Sequence, residues 1–292
     1  MMMRNSWFNV RGITAGTALL IGILVSSSSG SQVQQLRALP VKFSFVVLGD
    51  TRAGDPACDS VYGNLIAAAM ERKPAFVVNT GDQIDKPGNK DHWRRFWELS
   101  KPVNVPYFLT VGNHDAHVEV AGSEETFKEQ GDLPGGKLYY SFVAGKALFI
   151  VLDSYLKNED KRITGAQFAW LEDTLSRSQE KLRFVFIHHP LFPEQGKGKH
   201  HGNSLDRYTA ERDRLQALFV RYRVSAVFLG HEHLYLRKTR DGIPHVITGG
   251  GGAPLYADDL SGGFHHFVFV TVEENTFHAE AVDVQGRVRD RF

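Results

Sequence analysis

Five short clusters carry side chains able to bind cations or move protons: Asp50 with Thr51 and Arg52; Asp82 with Asp85; Asn113, His114 and Asp115; His188 and His189; and His231, Glu232 and His233. Asp, Asn and His offer only oxygen and nitrogen donors, a set suited to manganese, iron or zinc. The single cysteine, Cys58, rules out an internal disulfide. It also rules out thiolate-rich zinc knuckles and iron–sulfur clusters, each of which needs several cysteines. Asp50, Asp82, Asn113, His188, His231 and His233 outnumber the positions around one four-coordinate ion, and one carboxylate can bridge two neighbours. A pair of transition-metal ions is therefore expected, divalent or trivalent. Two ions ~3.5–4 Å apart can hold a hydroxide and clamp a phosphoryl oxygen during in-line displacement. His114, beside Asn113, is left for proton chemistry.

Each cluster follows a run rich in β-branched and aromatic residues, at 43–48, 76–79, 107–111, 184–187 and 226–229, and further runs lie at 148–152 and 246–248. These read as buried strands. Helical spacing of Leu, Ala, Phe and Trp recurs at 61–72, 92–99, 165–178 and 209–222. The alternation predicts an α/β fold, in which ligands bind at the carboxyl ends of the strands. Gly49, Gly81, Gly112 and Gly230 are expected to supply sharp turns there. Thr164 and Gln167 read as a capping box opening the helix at 165–178. Residues 266–272 and 276–282 alternate around Glu273-Glu274-Asn275, as in a hairpin closing a sheet edge. Glu232 should face away from its two histidine neighbours, either solvated or supporting the ligands from behind, because side chains alternate along an extended segment. Asp153 is expected near the cleft without holding metal, and Trp93, Phe96 and Trp97 are expected in the core. Residues 249–252, all glycine, read as a tight loop, since they lack the Lys and Ser or Thr of a P-loop. Residues 196–202, with His200 and His201, read as a solvated surface loop.

In this order and strand-end setting, Asp50, Asp82 with Asp85, Asn113-His114-Asp115, His188, and His231 with His233 resemble the blocks of the calcineurin-like metallophosphoesterase superfamily, over residues 49–233. The resemblance implies a four-layer sandwich of two mixed β-sheets flanked by helices. It further implies that Asp50, Asp82 and His233 hold one ion, that Asp82, Asn113, His188 and His231 hold the other, and that Asp82 bridges them. His114 would protonate the leaving oxygen or stabilise the transition state, with Asp115 orienting its imidazole. The activity implied is hydrolysis of a phosphate monoester or diester by a dinuclear centre with a metal-bound hydroxide as nucleophile.

One departure concerns the first block, which in the family usually ends in a His ligand and here ends in Arg52. A guanidinium stays charged and does not bind metal, so the first ion should be held weakly. Arg52 is instead expected to fork onto substrate phosphate, partly replacing the lost charge. Purple acid phosphatases also lack that His, but they carry Tyr where this chain has Asp85, which sets them apart from it. The alternative reading is a phosphate-ligand binding module with a degraded, mononuclear, non-catalytic site; the intact Asn113-His114-Asp115 block argues against it. A metallopeptidase would use carboxylate-rich ligand sets or a His-Glu-x-x-His helix, and the sequence has neither.

With 34 Lys and Arg against 33 Asp and Glu in 292 residues, the chain has no charge excess for a polyanion, and no specific nucleic-acid binding is expected. At 42% hydrophobic and 23% charged it reads as globular. A single domain is expected over 41–292, with 244–292 as its closing strands. Arg4 and Arg11, then an apolar run at 13–25, then small polar residues at 26–31, follow secretory order, so 1–30 reads as a signal peptide cleaved near Gly30 for export. The 13-residue run is short of the ~20 that a membrane-spanning helix needs. The partner expected is a phosphorylated small molecule or a phosphodiester.

Overall fold

In the computed structural model, residues 29–194 and 202–292 are described. Most of the expected leader and of the loop at 196–202, with His200 and His201, lies outside the described residues. In chain order the elements begin with α1 (Ser29–Arg37), β1 (Lys42–Leu48), α2 (Pro56–Glu71), β2 (Phe76–Asn79), α3 (Lys90–Leu99) and β3 (Tyr107–Leu109). They continue with α4 (Ser123–Gly131), β4 (Tyr140–Ala144), β5 (Ala147–Val151), α5 (Gly165–Arg177), β6 (Leu182–Ile187) and α6 (Thr209–Arg221). The remaining strands are β7 (Ala226–Leu229), β8 (Tyr235–Arg240), β9 (Ile243–Thr248), β10 (His266–Glu273), β11 (Thr276–Asp283) and β12 (Val288–Arg291).

These strands form two six-stranded mixed sheets, ordered β12-β11-β10-β1-β2-β3 and β4-β5-β6-β7-β9-β8. β1, β2 and β3 are parallel to one another, as are β5, β6, β7 and β9. The remaining pairings are antiparallel, and β10–β11 is the expected hairpin. The central strands are apolar on both faces because both faces are covered. Between the sheets Phe45 packs on Phe76, Phe149 and Phe184 with ring centroids 5.1–5.4 Å apart. On the far side of the second sheet Ile150, Val185, Ile187, Val227 and Leu229 share a separate core with Leu171 and Leu175 of α5 and Leu215 and Phe219 of α6. Trp93 and Phe96 are fully buried, as expected, and Trp97 packs beside them.

Several elements differ from the sequence reading. β4, β8 and β12 were not expected. β8 and β12 are edge strands rich in Arg and Lys, a composition that protects an edge from pairing but hides it from a search for apolar runs. α1, upstream of the expected domain start, buries Leu36 in the core. No capping box forms at α5: Thr164 Oγ1 donates to Glu159 Oε2 (2.9 Å), and Gln167 turns to the backbone of Asp153. Its Oε1 accepts from Asp153 N and its Nε2 donates to Asp153 O, both at 2.8 Å. A strand end with unpaired, buried backbone groups competes successfully for that amide. No helix among the described residues is long and apolar enough to cross a membrane.

Candidate metal centre

Parallel strands of both sheets, β1 and β2 in one and β6 and β7 in the other, deliver Asp50, Asp82, His188 and His231 within three residues of their ends. The backbone at Asp50, Asp82 and His231 is left-handed, with φ of 58°, 55° and 68°. Residues other than glycine adopt this conformation rarely and at a cost, so the surrounding contacts must hold it. Cross-loop bonds do so: Asp50 N donates to Gly81 O (2.8 Å), Arg52 N to Asp82 O (3.0 Å) and Gly230 N to His188 O (2.9 Å). The expected role of the glycines is therefore corrected. Gly81 has a positive φ, but Gly49, Gly112 and Gly230 do not; they permit close approach. A Cβ on Gly49 would lie 2.0 Å from Thr80 Oγ1, and one on Gly112 would lie 2.2 Å from Asp82 N. The run 249–252 is likewise a tight loop, in which Gly251 N donates to Gly49 O (2.9 Å).

Two histidines have defined tautomers. His188 Nδ1 donates to Thr80 O (2.9 Å) and His233 Nδ1 to Pro254 O (2.8 Å). A carbonyl only accepts, so Nδ1 carries the proton there and Nε2 is the nitrogen that offers a lone pair once the ring is neutral, as metal binding requires. His188 Nε2 faces Asn113 Oδ1 at 3.2 Å and Asp82 Oδ1 at 3.4 Å, while His233 Nε2 faces Asp50 Oδ1 at 3.5 Å. Acceptors facing acceptors in a buried site fit a cation between them. Ligand atoms of Asp50, Asp82 and His188 lie within 4.8 Å of one another, and so do those of His188, His189 and His231. All six expected ligands thus converge on one edge. His189, which the sequence left aside, joins them, with Nδ1 2.9 Å from Ser154 Oγ.

The electrostatics agree with the donor set. Burial pushes the Asp50 carboxyl up to about 8, with the Asp82 charge adding to it. Burial also opposes ionisation of Asp82, but His188, His114 and Arg52 together hold it below the ordinary carboxylate range. Without metal the pair retains a proton, the role a cation would take over. Arg52 Nη1 lies 3.6 Å from Asp82 Oδ2 and has no hydrogen-bond partner, although the side chain is only 15% exposed.

Two roles expected of neighbouring residues change. Asp115 does not touch the His114 ring. Its Oδ2 accepts from Asp82 N (2.8 Å) and Gly112 N (2.9 Å), and its Oδ1 from Gln83 N (2.8 Å) and Ile84 N (3.3 Å). Four backbone donors left over by the turn at 82–84 and Gly112 require an acceptor, and a carboxylate satisfies them all. The imidazole is oriented instead by the backbone carbonyl of Asp85, which accepts from Nδ1 at 2.7 Å, while His114 N donates to Asp82 Oδ1 (2.8 Å). Glu232 is not solvated: it is 1% exposed, accepts from Glu194 N (2.9 Å) and is pushed up to about 7 by burial. Asp153 lies at its strand end as expected, accepting from Tyr155 N (2.7 Å), and joins neither ligand group. Sequence reasoning also missed Tyr256, whose ring stacks on His233 at 4.2 Å and whose hydroxyl lies 3.3 Å from His233 Nε2. The glycine loop just before it was the only available signal.

Residues 43–235 match the family described as calcineurin-like phosphoesterase. Purple acid phosphatase 23 of Arabidopsis thaliana is 27% identical over 203 residues, covering 64% of this chain and 43% of that protein. Serine/threonine-protein phosphatase CPPED1 of Rattus norvegicus is 31% identical over 201 residues, covering 65% and 63% respectively. The matched part spans less than two thirds of either relative. Among solved structures, purple acid phosphatase PPD1 of yellow lupin (Lupinus luteus) has the same fold, with a TM-score of 0.72 at 21% identity over 87% of this chain and 54% of that one. Purple acid phosphatases, set apart in the sequence by Asp85, are thus among its relatives.

Proposed function

The chain belongs to the calcineurin-like phosphoesterase family, and from that premise we propose that it hydrolyses phosphate esters at a dinuclear transition-metal centre. The observation that carries this reading is the pair of carbonyl-fixed imidazoles, His188 and His233, whose Nε2 atoms face the buried carboxylates Asp82 and Asp50. Asp50, Asp82 and His233 would hold one ion, and Asp82, Asn113, His188 and His231 the other. When bound, manganese, iron or zinc ions there supply Lewis acidity and an acidified water for attack at phosphorus.

The protein's own groups do the rest. His114, with Nδ1 committed to the Asp85 carbonyl, keeps Nε2 for the proton passed to the leaving oxygen. Arg52, whose Nη1 has no hydrogen-bond partner, binds a phosphoryl oxygen and supplies positive charge where the family's first-block His is missing. Asp115 holds the Asp82 turn. The order of charge, apolar run and small residues at the N-terminus supports export.

The test is release of p-nitrophenol from its phosphate monoester and diester by metal-stripped protein titrated with manganese, zinc or iron. Metal-restored turnover is expected, and the ratio of the two rates assigns the ester class. One tightly held ion with no turnover would instead support the non-catalytic binding module, with Arg52 as its cause.

A further inference from the structure

A cavity of about 960 Å³ adjoins the metal centre behind Tyr256. Its volume is that of a small-molecule site. Tyr256 belongs to both, since its ring lies flat on His233 and also lines the cavity. Leu234, Tyr235, Leu236 and Phe264 give the cavity apolar and aromatic walls. Its charges are unevenly matched. Arg237 is committed to Asp290 (2.6 Å), Arg289 to Asp259 (2.8 Å), and nearby Lys238 to Glu194 (2.8 Å). Glu232 lines the same cavity, buried, with Oε2 on the Glu194 amide and Oε1 without a hydrogen-bond partner. Asp258 also lines the wall, with Oδ1 accepting from Ser261 N (2.8 Å).

Resting on the hydrolase reading above, we propose that this cavity receives the alcohol portion of the phosphate ester and selects an alcohol that carries an ammonium group. A buried carboxyl oxygen without a partner is unfavourable and gains from a cation brought by the substrate. The Tyr235 ring in the wall attracts the same group, whereas Phe264 already carries the Arg289 guanidinium 4.2 Å from its centroid. A phosphate at the metal ligands would direct its alcohol past Tyr256 into this space.

The test uses the metal-loaded full chain and two phosphonates that cannot be hydrolysed, 3-(trimethylammonio)propylphosphonate and its uncharged isostere 4,4-dimethylpentylphosphonate, titrated by calorimetry. The cationic ligand is expected to bind about 10-fold tighter, the size of a desolvated cation–π and charge contact. Glu232→Gln should bring that ratio to about 3-fold or less, and Asp258→Asn, which leaves the buried segment untouched, should lower it in the same direction. Equal binding of the two phosphonates overturns the proposal, as does a ratio that neither variant changes. Turnover of p-nitrophenyl phosphate, measured in parallel, reports on the hydrolase reading by itself. Loss of that turnover with the binding ratio intact would refute catalysis and leave the cavity's preference standing.

Discussion

Replacing Asp115 with Asn separates two accounts of this residue, orienting the His114 imidazole or bracing the turn that carries Asp82. The carboxylate takes four backbone N–H bonds, at 2.8, 2.8, 2.9 and 3.3 Å, two on each oxygen. The amide of Asn keeps one oxygen and turns an NH2 towards the other two donors. Two bonds to a charged acceptor are lost, each worth ~1.5–3 kcal/mol, so a loss of about 3–6 kcal/mol of stability is expected. At ~2–4 °C per kcal/mol for a chain of this size, the melting temperature of the metal-stripped protein should fall by on the order of 10 °C. Circular dichroism during thermal unfolding measures it, and metal affinity should fall with it because the Asp82 turn loosens. If Asp115 served only the imidazole, the melting temperature would stay within about 2 °C while turnover dropped ~10²–10⁴-fold and the limb of the pH–rate profile that reports His114 moved. That combination would refute the bracing role.

Asn113→Ala and His231→Ala should each abolish metal-dependent turnover, and near-normal rates with metal supplied would remove them as ligands. Arg52→His should raise the number of ions bound per chain, or their affinity, as read by metal analysis after dialysis; an unchanged value would show that Arg52 does not weaken the first site. The Asp50 carboxyl, pushed up to about 8, binds a proton in the folded metal-free protein that the unfolded chain releases near pH 4. Folded metal-free protein should therefore lose stability as pH rises from about 4 to about 8, while metal loading displaces the proton and removes this loss. The gap in melting temperature between loaded and stripped protein should widen from pH 5 to pH 8, and a constant gap would count against proton–metal exchange at Asp50. Gly112→Ala should destabilise by about 1–3 kcal/mol or more, because its Cβ would lie 2.2 Å from Asp82 N; an unaffected melting temperature would contradict the close approach.

The chain sequence determined a good deal by itself. The apolar runs that end in Asp50, Asp82, Asn113, His188 and His231 marked the strands, because a strand buried on both faces has few compositions open to it. The ligand types followed from their chemistry, and the order of the blocks pointed to the family. Charged edge strands such as β8 and β12 were invisible, since edge protection uses the residues that mark loops. Only the tertiary structure decided what each polar residue touches. Asp115 and Gln167 sit near their expected partners in sequence yet bind backbone groups of other loops, and Glu232, expected only to face away from its histidine neighbours, lies buried on a backbone amide. The glycines beside the site proved to be points of contact, and Tyr256 reached His233 from a different loop. Which buried donor is left without a partner depends on where every other segment lies, and no local spacing carries that information.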